Sequence, residues 1–152
     1  MSALTTIDIN QILWNDPITK KIFLGSYPAC EIPNSKKKRY SFITNTDQHD
    51  KPGTHWTAWM VEGDNVEFFD SFGRSPKNFQ MPHEFKHFIL GKTVSYSTLQ
   101  VQEFSSSTCG YFCIYYIYFR SMGLDYAYIM KEFMSLYDND DIVIKFINSL
   151  LD

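Results

Sequence analysis

Apolar and polar positions in the first third of the chain predict helices followed by an irregular segment. Isoleucine, leucine and tryptophan recur between residues 7 and 14 at spacings typical of a short helix. Asp16 followed by Pro17 predicts the start of a second helix, because aspartate is a common N-cap and proline suits the first helical position. We therefore expect the first quarter to be mostly helical and residues 23–33, which contain two prolines, to be irregular.

The middle of the chain has the pattern of β-structure, because β-branched and aromatic residues are concentrated there in short runs. The strand-like runs are residues 40–46, 55–61, 66–70 and 93–99. Turn-forming residues at 62–65 predict a hairpin between the second and third runs, and residues 82–90 predict a short helix. The pattern predicts a sheet of about four strands.

The run that begins at Cys109 carries apolar or aromatic residues on every face, which predicts a helix buried on all sides and ended by Gly123. Two amphipathic segments, residues 125–136 and 140–151, are predicted to be covering helices. No composition shift or linker divides the sequence, so we predict one domain spanning residues 1–152. The expected fold class is α+β, with a small, mainly antiparallel sheet packed on the central helix and other helices around it.

Composition and charge exclude some classes of protein. Hydrophobic residues make up 44% and charged residues 20% of the chain, as in ordinary folded domains, and the 17% aromatic share predicts a core rich in rings. The net charge of -3 gives no overall attraction to nucleic acid, and the basic run at residues 36–39 is better explained by a solvated loop than by a nuclear-targeting or nucleic-acid patch. Neither a membrane span nor a signal peptide is recognisable, so we expect an intracellular protein that is neither membrane-bound nor secreted.

The odd number of cysteines leaves at least one thiol outside any disulfide. Cys109 lies at the predicted start of the central helix, where unpaired backbone N–H groups and the helix dipole favour a thiolate. Cys113, one turn later on a helix that is apolar all round, is expected to pack as a small hydrophobic residue, and Cys30 has no nearby histidine or acid motif. The sequence thus favours Cys109 as a nucleophile, and Gly110 beside it leaves room for a substrate backbone.

A cysteine nucleophile requires a base and a group that orients the base. His55 opens one predicted strand and Asp70 closes the next, so an antiparallel hairpin returns them to the same end of the sheet. Single histidines and aspartates are more often structural, so this spacing alone does not decide their role. Attack on an acyl group also needs donors for the oxyanion, and Gln102, seven residues before Cys109, is suitably placed. Gln100 is the alternative, and either glutamine could be a solvated loop residue.

Four motifs occur in the order base, acid, glutamine, nucleophile. They are Gly53-Thr54-His55-Trp56, Phe69-Asp70-Ser71-Phe72-Gly73, Gln102 and Cys109-Gly110-Tyr111-Phe112-Cys113. Over residues 40–120 this order and these gaps resemble the adenain-like peptidases, the family typified by the adenovirus maturation protease and related to the SUMO-deconjugating proteases of the same clan. The resemblance points to a cysteine peptidase of a DNA virus, virophage or Polinton-like mobile element.

The resemblance implies hydrolysis of peptide bonds through a thioester acyl-enzyme, without a cofactor. His55 would activate Cys109, Asp70 would hold His55, and Gln102 would lie in the oxyanion hole. Small residues, especially glycine, would be preferred before the cut bond. Trp56, next to the base, would close the active site beside a narrow glycine channel or would serve only as core filling.

The sequence also departs from the family. Adenovirus enzymes have glutamate at the position of Asp70, so the acid alone assigns the chain to neither branch. No cysteine lies between Asp70 and Cys109, so an activating peptide is possible but we expect none tethered by a disulfide. The charge likewise does not indicate DNA as an activator, although local contact with nucleic acid stays possible. His83 and His87 have i,i+4 spacing but lack further candidate ligands, so we expect a surface helix and no metal.

The leading hypothesis is a cysteine endopeptidase that cuts polyprotein or capsid and core precursors at glycine-containing sites during virion maturation. Its partners would be these protein substrates, and its location the virion and the cytoplasm or nucleus of infected cells. One alternative is a protease that removes SUMO, NEDD8 or ubiquitin. Another is a non-catalytic binding module that retains the protease fold.

Overall fold

The computed structural model describes residues 3–46, 55–79, 81–104, 106–135 and 138–151. One five-stranded sheet packs against a long central helix, which confirms the predicted α+β class. The helices are α1 (Thr6–Asn15), α2 (His83–Ile89), α3 (Cys109–Ser121), α4 (Tyr126–Ser135) and α5 (Asn139–Leu151). The strands are β1 (Phe23–Tyr27), β2 (Arg39–Asn45), β3 (Trp56–Glu62), β4 (Asn65–Phe69) and β5 (Thr93–Tyr96).

The sheet has the order β1-β2-β3-β4-β5, with antiparallel pairs in the middle and one parallel pair at each edge. The predicted hairpin between β3 and β4 is confirmed, and its turn passes through Gly63 at φ +58°, a conformation that glycine adopts without strain. The antiparallel pairing places the start of β3 beside the end of β4. His55 and Asp70, which flank these two strand ends, are thereby brought to one edge of the hairpin.

β1 is a strand where the sequence predicted irregular structure, so the sheet has five strands instead of about four. It pairs in parallel with β2, with a register shift between Phe23 and Ser26. The side chain of Asn10 on α1 accepts hydrogen bonds from the backbone N–H (2.9 Å) and the hydroxyl (2.6 Å) of Ser26. The strand therefore depends on pairing with β2 and on α1, neither of which is visible in its own glycine- and proline-flanked sequence.

The prediction of a second helix starting at Asp16 is wrong. Asp16 instead caps the C-terminus of α1, and its carboxylate accepts from the backbone N–H groups of Ile18 and Thr19, both at 2.9 Å. Only one 3₁₀ turn, Thr19–Lys21, follows before the chain enters the sheet, where Ile22 accepts a hydrogen bond from Ser41. Asp16 does accept hydrogen bonds from the residues that follow it, as at a helix start. The helical turn ends because the next residues pair with β2.

The sheet separates two apolar cores, and both are rich in aromatic rings as predicted. One face packs on α3, which α1, α4 and α5 cover from the other sides. The opposite face carries a cluster of rings closed over by α2. Its fully buried members are Tyr40, Phe42, Trp59, Phe68 and Phe85. Coverage on both faces explains why nearly every residue of β2 and β3 is buried, instead of every second one.

α3 is buried on all sides, as predicted, and the chain leaves it through Gly123 at φ +100°. Its first residue, Cys109, lies against Trp56 at the start of β3, and Arg120 in its last turn contacts Glu62 at the end of β3. α3 therefore runs alongside β3, with its N-terminus at the edge that holds His55. Within the described ranges no helix is long and apolar enough to cross a membrane.

Candidate active site

Cys109, His55 and Asp70 meet at the N-terminus of α3, and all three side chains are buried. Asp70 Oδ1 lies 2.5 Å from His55 Nε2, and His55 is hydrogen-bonded in turn to the thiol of Cys109. Because Asp70 occupies Nε2, the imidazole presents Nδ1 to the thiol. The backbone N–H of Trp56 also donates to Cys109 Sγ at 3.4 Å. The structure thus brings together the three residues that the sequence nominated as nucleophile, base and orienting acid.

The electrostatics of this cluster favour a thiolate–imidazolium pair. Burial on its own would raise the pKa of Cys109. Hydrogen bonding and charge interaction with His55 lower this pKa, and so do hydrogen bonds from the backbone N–H groups of Trp56 and Gly110. Burial would likewise lower the pKa of His55, but the hydrogen bonds to Asp70 and Cys109 raise it. Cys113, which is fully buried, has its pKa raised by burial and packs in the core as expected. Of the two cysteines on α3, Cys109 is the one with the environment of a reactive cysteine.

The N-terminus of α3 keeps its donors available. Thr108 is the N-cap residue, yet its side chain makes no capping hydrogen bond to this helix. The hydroxyl of Thr108 instead donates to Asp140 Oδ2 at 2.5 Å, and Asp140 lies in the first turn of α5. The N–H groups of the first turn of α3 are consequently left to stabilise negative charge on the thiol or on an oxyanion.

Asp70 is held on both sides of its carboxylate. Its second oxygen, Oδ2, accepts from the backbone N–H of Arg74 at 3.0 Å and from Arg74 Nε at 2.8 Å. Burial would raise the pKa of Asp70, but the hydrogen bonds from His55 and Arg74 lower it. The imidazole stacks on Phe72, with ring centres 5.0 Å apart, and Phe79 lies further away at 6.5 Å. These contacts fix the orientation of the base and shield its bond to Asp70 from water.

Gln102 is buried, with 2% of its surface exposed, and its amide is tied into the loop that precedes α3. Its Nε2 donates to the carbonyl (3.0 Å) and the hydroxyl (3.1 Å) of Ser106, and its Oε1 accepts from the hydroxyl of Ser71 at 2.5 Å. Gln100, the alternative, is exposed and donates to the carbonyl of Gln102 at 3.1 Å. The structure therefore favours Gln102 over Gln100 as the glutamine of the site.

The acid loop and the glutamine loop are joined through their backbones. The carbonyl of Ser71 accepts from the N–H groups of Val101 (2.9 Å) and Gln102 (3.1 Å). Gly73 lies at φ +76° in the same turn, and a Cβ on it would lie 2.6 Å from the carbonyl oxygen of Thr98. Only glycine permits this close approach. The position of Gln102 is thus set by the loop that carries Asp70.

Trp56 and Gly110 pack against each other. A Cβ on Gly110 would lie 3.3 Å from Trp56 Cδ1 and 3.2 Å from Leu4 Cβ, both tight contacts. Room for a substrate backbone beside Gly110 stays a prediction. The indole N–H of Trp56 donates to the carbonyl of Leu4 at 3.0 Å, and the ring belongs to the core around α3. Both residues therefore shape the wall of the site next to Cys109.

No protein-family model matches the sequence. The chain is 29% identical to the protease of Bovine adenovirus 4 over 111 residues, which is 63% of this chain and 55% of that protein. It is 26% identical to the protease of Snake adenovirus serotype 1 over 129 residues, which is 75% of this chain and 64% of that protein. The chain thus spans less than two thirds of the length of these two relatives.

The crystal structure of the ASFV pS273R protease matches 98% of this chain and 68% of its own, with a TM-score of 0.62 and 20% identity. This chain is similar in sequence to adenovirus proteases and shares the fold of the ASFV protease. The sequence matches and the shared fold confirm the resemblance that the four motifs indicated. Two residues of the first motif, Gly53 and Thr54, lie outside the described residues.

The described residues contain no group of three or more histidine, cysteine, aspartate or glutamate side chains that could hold a metal ion. His83 and His87 are exposed on α2, the surface helix that the sequence predicted. Sequence reasoning missed Ser71, Arg74 and Asp140. Ser71 and Arg74 lie within four residues of Asp70 and could have been suspected for that reason. No local signal connects Asp140 with Cys109, which precedes it by 31 residues.

Proposed function

We propose that this protein is a cysteine endopeptidase that cuts viral precursor proteins, including capsid or core precursors, at glycine-containing sites during virion maturation. The hydrogen-bonded chain Asp70–His55–Cys109 at an uncapped helix N-terminus carries the proposal. Similarity to two adenovirus proteins named as proteases supports it. The preference for glycine comes from the family resemblance, as does location in the virion and in infected cells.

In the proposed reaction, the thiolate of Cys109 attacks the carbonyl carbon of the bond to be cut, and the oxygen becomes an oxyanion. Backbone N–H groups at the start of α3 and the amide of Gln102 stabilise this charge. The imidazolium of His55 gives its proton to the leaving nitrogen as the C–N bond breaks, which leaves a thioester on Cys109. Water, deprotonated by His55, then attacks the thioester and releases the acid product and the thiol.

Each neighbouring group has a defined task in this scheme. Asp70 keeps the proton of the imidazole on Nε2 and stabilises its charged form. Ser71 and Ser106 hold the amide of Gln102. Because Nε2 of Gln102 contacts Ser106 here, we expect one of its two N–H bonds to turn to the oxyanion when substrate binds.

The proposal is tested by mapping cuts in a proteome-derived peptide library by mass spectrometry. We expect cuts after glycine-containing sequences, and loss of at least about 10⁴-fold in rate for Cys109→Ala, because the nucleophile is absent. Cys30→Ala is the matched control and should cut like the wild type. Circular dichroism should show that Cys109→Ala remains folded.

A fully active Cys109→Ala variant would contradict the mechanism. Efficient labelling of Cys109 by a probe made from the C-terminus of SUMO, NEDD8 or ubiquitin would contradict precursor cleavage as the function. It would instead support removal of such a modifier. If Cys109 is alkylated by iodoacetamide near neutral pH no faster than Cys30, the activated thiolate is absent and the chain is a binding module.

A further inference from the structure

Phe104 is an exposed aromatic residue next to the candidate active site. Solvent reaches 85% of the surface of Phe104, a larger exposed fraction than for any other large apolar residue in the described ranges. It follows Gln102 by two residues and precedes Cys109 by five. An aromatic ring left in water forgoes the stabilisation that burial would give, so its placement requires an explanation.

The residues beside Phe104 are tied down by hydrogen bonds. The N–H (3.1 Å) and the hydroxyl (3.0 Å) of Ser106 both donate to the carbonyl of Glu103. The N–H of Glu103 donates to Asp140 Oδ1 at 2.9 Å, and Gln102 Nε2 donates to Ser106. The contacts that position Gln102 therefore also hold the neighbours of Phe104 in place.

Phe104 extends a row of rings that begins at the base. The ring centre of Phe72 lies 5.0 Å from that of His55 and 6.3 Å from that of Phe104. Phe72 is partly buried under these contacts, whereas Phe104 presents most of its ring to solvent. Together Phe72 and Phe104 form an apolar surface, called here the Phe72–Phe104 surface, on the side of the site where His55 lies.

The proposed reaction decides which part of a substrate passes this surface. His55 protonates the leaving nitrogen, so the residues that follow the cut bond lie on the His55 side of Cys109. We propose that the Phe72–Phe104 surface binds a bulky apolar side chain of one of the first two residues after the cut bond. This inference rests on the proposed function and adds a specificity subsite to it.

The test uses two series of peptides built on one mapped glycine-containing site. Phe, Leu, Gly or Asp is placed at the first position after the cut bond in one series and at the second position in the other. At one of these positions we expect the wild type to cut the Phe and Leu peptides with about tenfold higher kcat/KM than the Gly peptide, since burying a large apolar side chain gives discrimination of this order.

Phe104→Ser should lose this preference by cutting Phe and Leu peptides about tenfold more slowly, with Gly peptides changed less than about twofold. Phe104→Leu should retain part of the preference because its side chain is still apolar. Tyr128→Ser, which removes a half-exposed ring from α4, is the matched control and should keep the full preference. Equal loss on all peptides in Phe104→Ser, or no preference in the wild type, would overturn the subsite.

A probe without residues after the reactive group separates this proposal from the proposed function. A peptidyl vinyl methyl sulfone ending in Gly-Gly should label Cys109 equally fast in the wild type and in Phe104→Ser. If the wild type is labelled and cuts peptides without a preference at either position, only the subsite is wrong. If the wild type is neither labelled nor active, the proposed function fails and the subsite fails with it.

Discussion

Two polar clusters lie at opposite ends of α3, and they differ in how fully their groups are paired. At the C-terminal end Arg120 donates to both carboxylate oxygens of Glu67 (2.8 and 2.9 Å), to the carbonyl of Leu124 (2.9 Å) and to Glu62. The hydroxyl of Tyr116 adds a 2.7 Å bond to Glu67. Burial would lower the pKa of Arg120, but the bonds to Glu67 raise it. This end is closed by strong interactions within the protein.

The N-terminal end is arranged so that donors remain for a ligand. The thiol of Cys109 receives one backbone N–H at 3.4 Å from β3, and the N-cap hydroxyl of Thr108 is turned away to Asp140. Both ends complement the helix dipole, with a cation near the C-terminus and a group favoured as an anion at the N-terminus. We infer that full pairing stabilises the fold at one end, whereas incomplete pairing at the other end leaves Cys109 available for the proposed reaction.

The closed end should contribute more to stability than any single group of the reactive end. We expect Arg120→Met to lower the free energy of unfolding by about 3 kcal/mol, since it leaves Glu67 partly buried without its counter-charge. Urea unfolding followed by circular dichroism measures this. In the folded variant, alkylation of Cys109 should proceed at the wild-type rate because the two ends act separately.

Two further variants sharpen this prediction. Arg120→Met combined with Glu67→Leu should recover part of the loss, because an apolar pair replaces the ion pair. Lys92→Met removes a long 3.5 Å pairing with the exposed Asp64 and should cost less than about 1 kcal/mol. If Arg120→Met costs no more than Lys92→Met, the contrast between the two ends is wrong.

At the reactive end, Asp140 positions the loop that carries Gln102. Asp140→Asn weakens the bonds to Glu103 and Thr108 and should lower kcat about tenfold with KM nearly unchanged, a smaller loss than removing an oxyanion donor outright. The rate of Cys109 alkylation should fall less than about twofold, since the bonds of the thiol to His55 and to the N–H of Trp56 do not involve Asp140. Asp141→Asn makes the same charge change at an exposed neighbour. If kcat falls equally in both variants, the loss comes from the change of charge and not from the contacts of Asp140.

The smallest effect is expected for Arg74. The hydrogen bonds of His55 and Arg74 keep the pKa of Asp70 below its ordinary value, so the carboxylate stays ionised as the pH falls. Arg74→Gln should raise that pKa and move the acidic limb of the kcat/KM profile to higher pH. Near pH 7.5 the loss should be about two- to threefold, because the partly exposed arginine is screened by solvent. Lys77→Gln is the control, and an identical profile in all three proteins would refute the role of Arg74.

Much of this arrangement could be predicted from the sequence. The extent of α3, the β3–β4 hairpin, the meeting of His55 with Asp70 and the placement of Cys109 at a helix start all followed from residue periodicity and turn chemistry. The helix and the hairpin depend on neighbours within a few residues of the sequence. The pairing of the two hairpin strands then brings His55 and Asp70 together. The resemblance of the four motifs then led to the correct family of folds.

Tertiary structure alone decided the rest. β1 exists because β2 pairs with it and Asn10 accepts its hydrogen bonds, and the helix expected at Asp16 gives way to that pairing. Gln102 is favoured over Gln100 because it accepts a bond from Ser71 and donates one to Ser106. The contacts of Asp140 with Thr108 and of Arg120 with Glu67 join residues 32 and 53 positions apart. No local pattern encodes such contacts, because they form only when the packed core brings distant segments together.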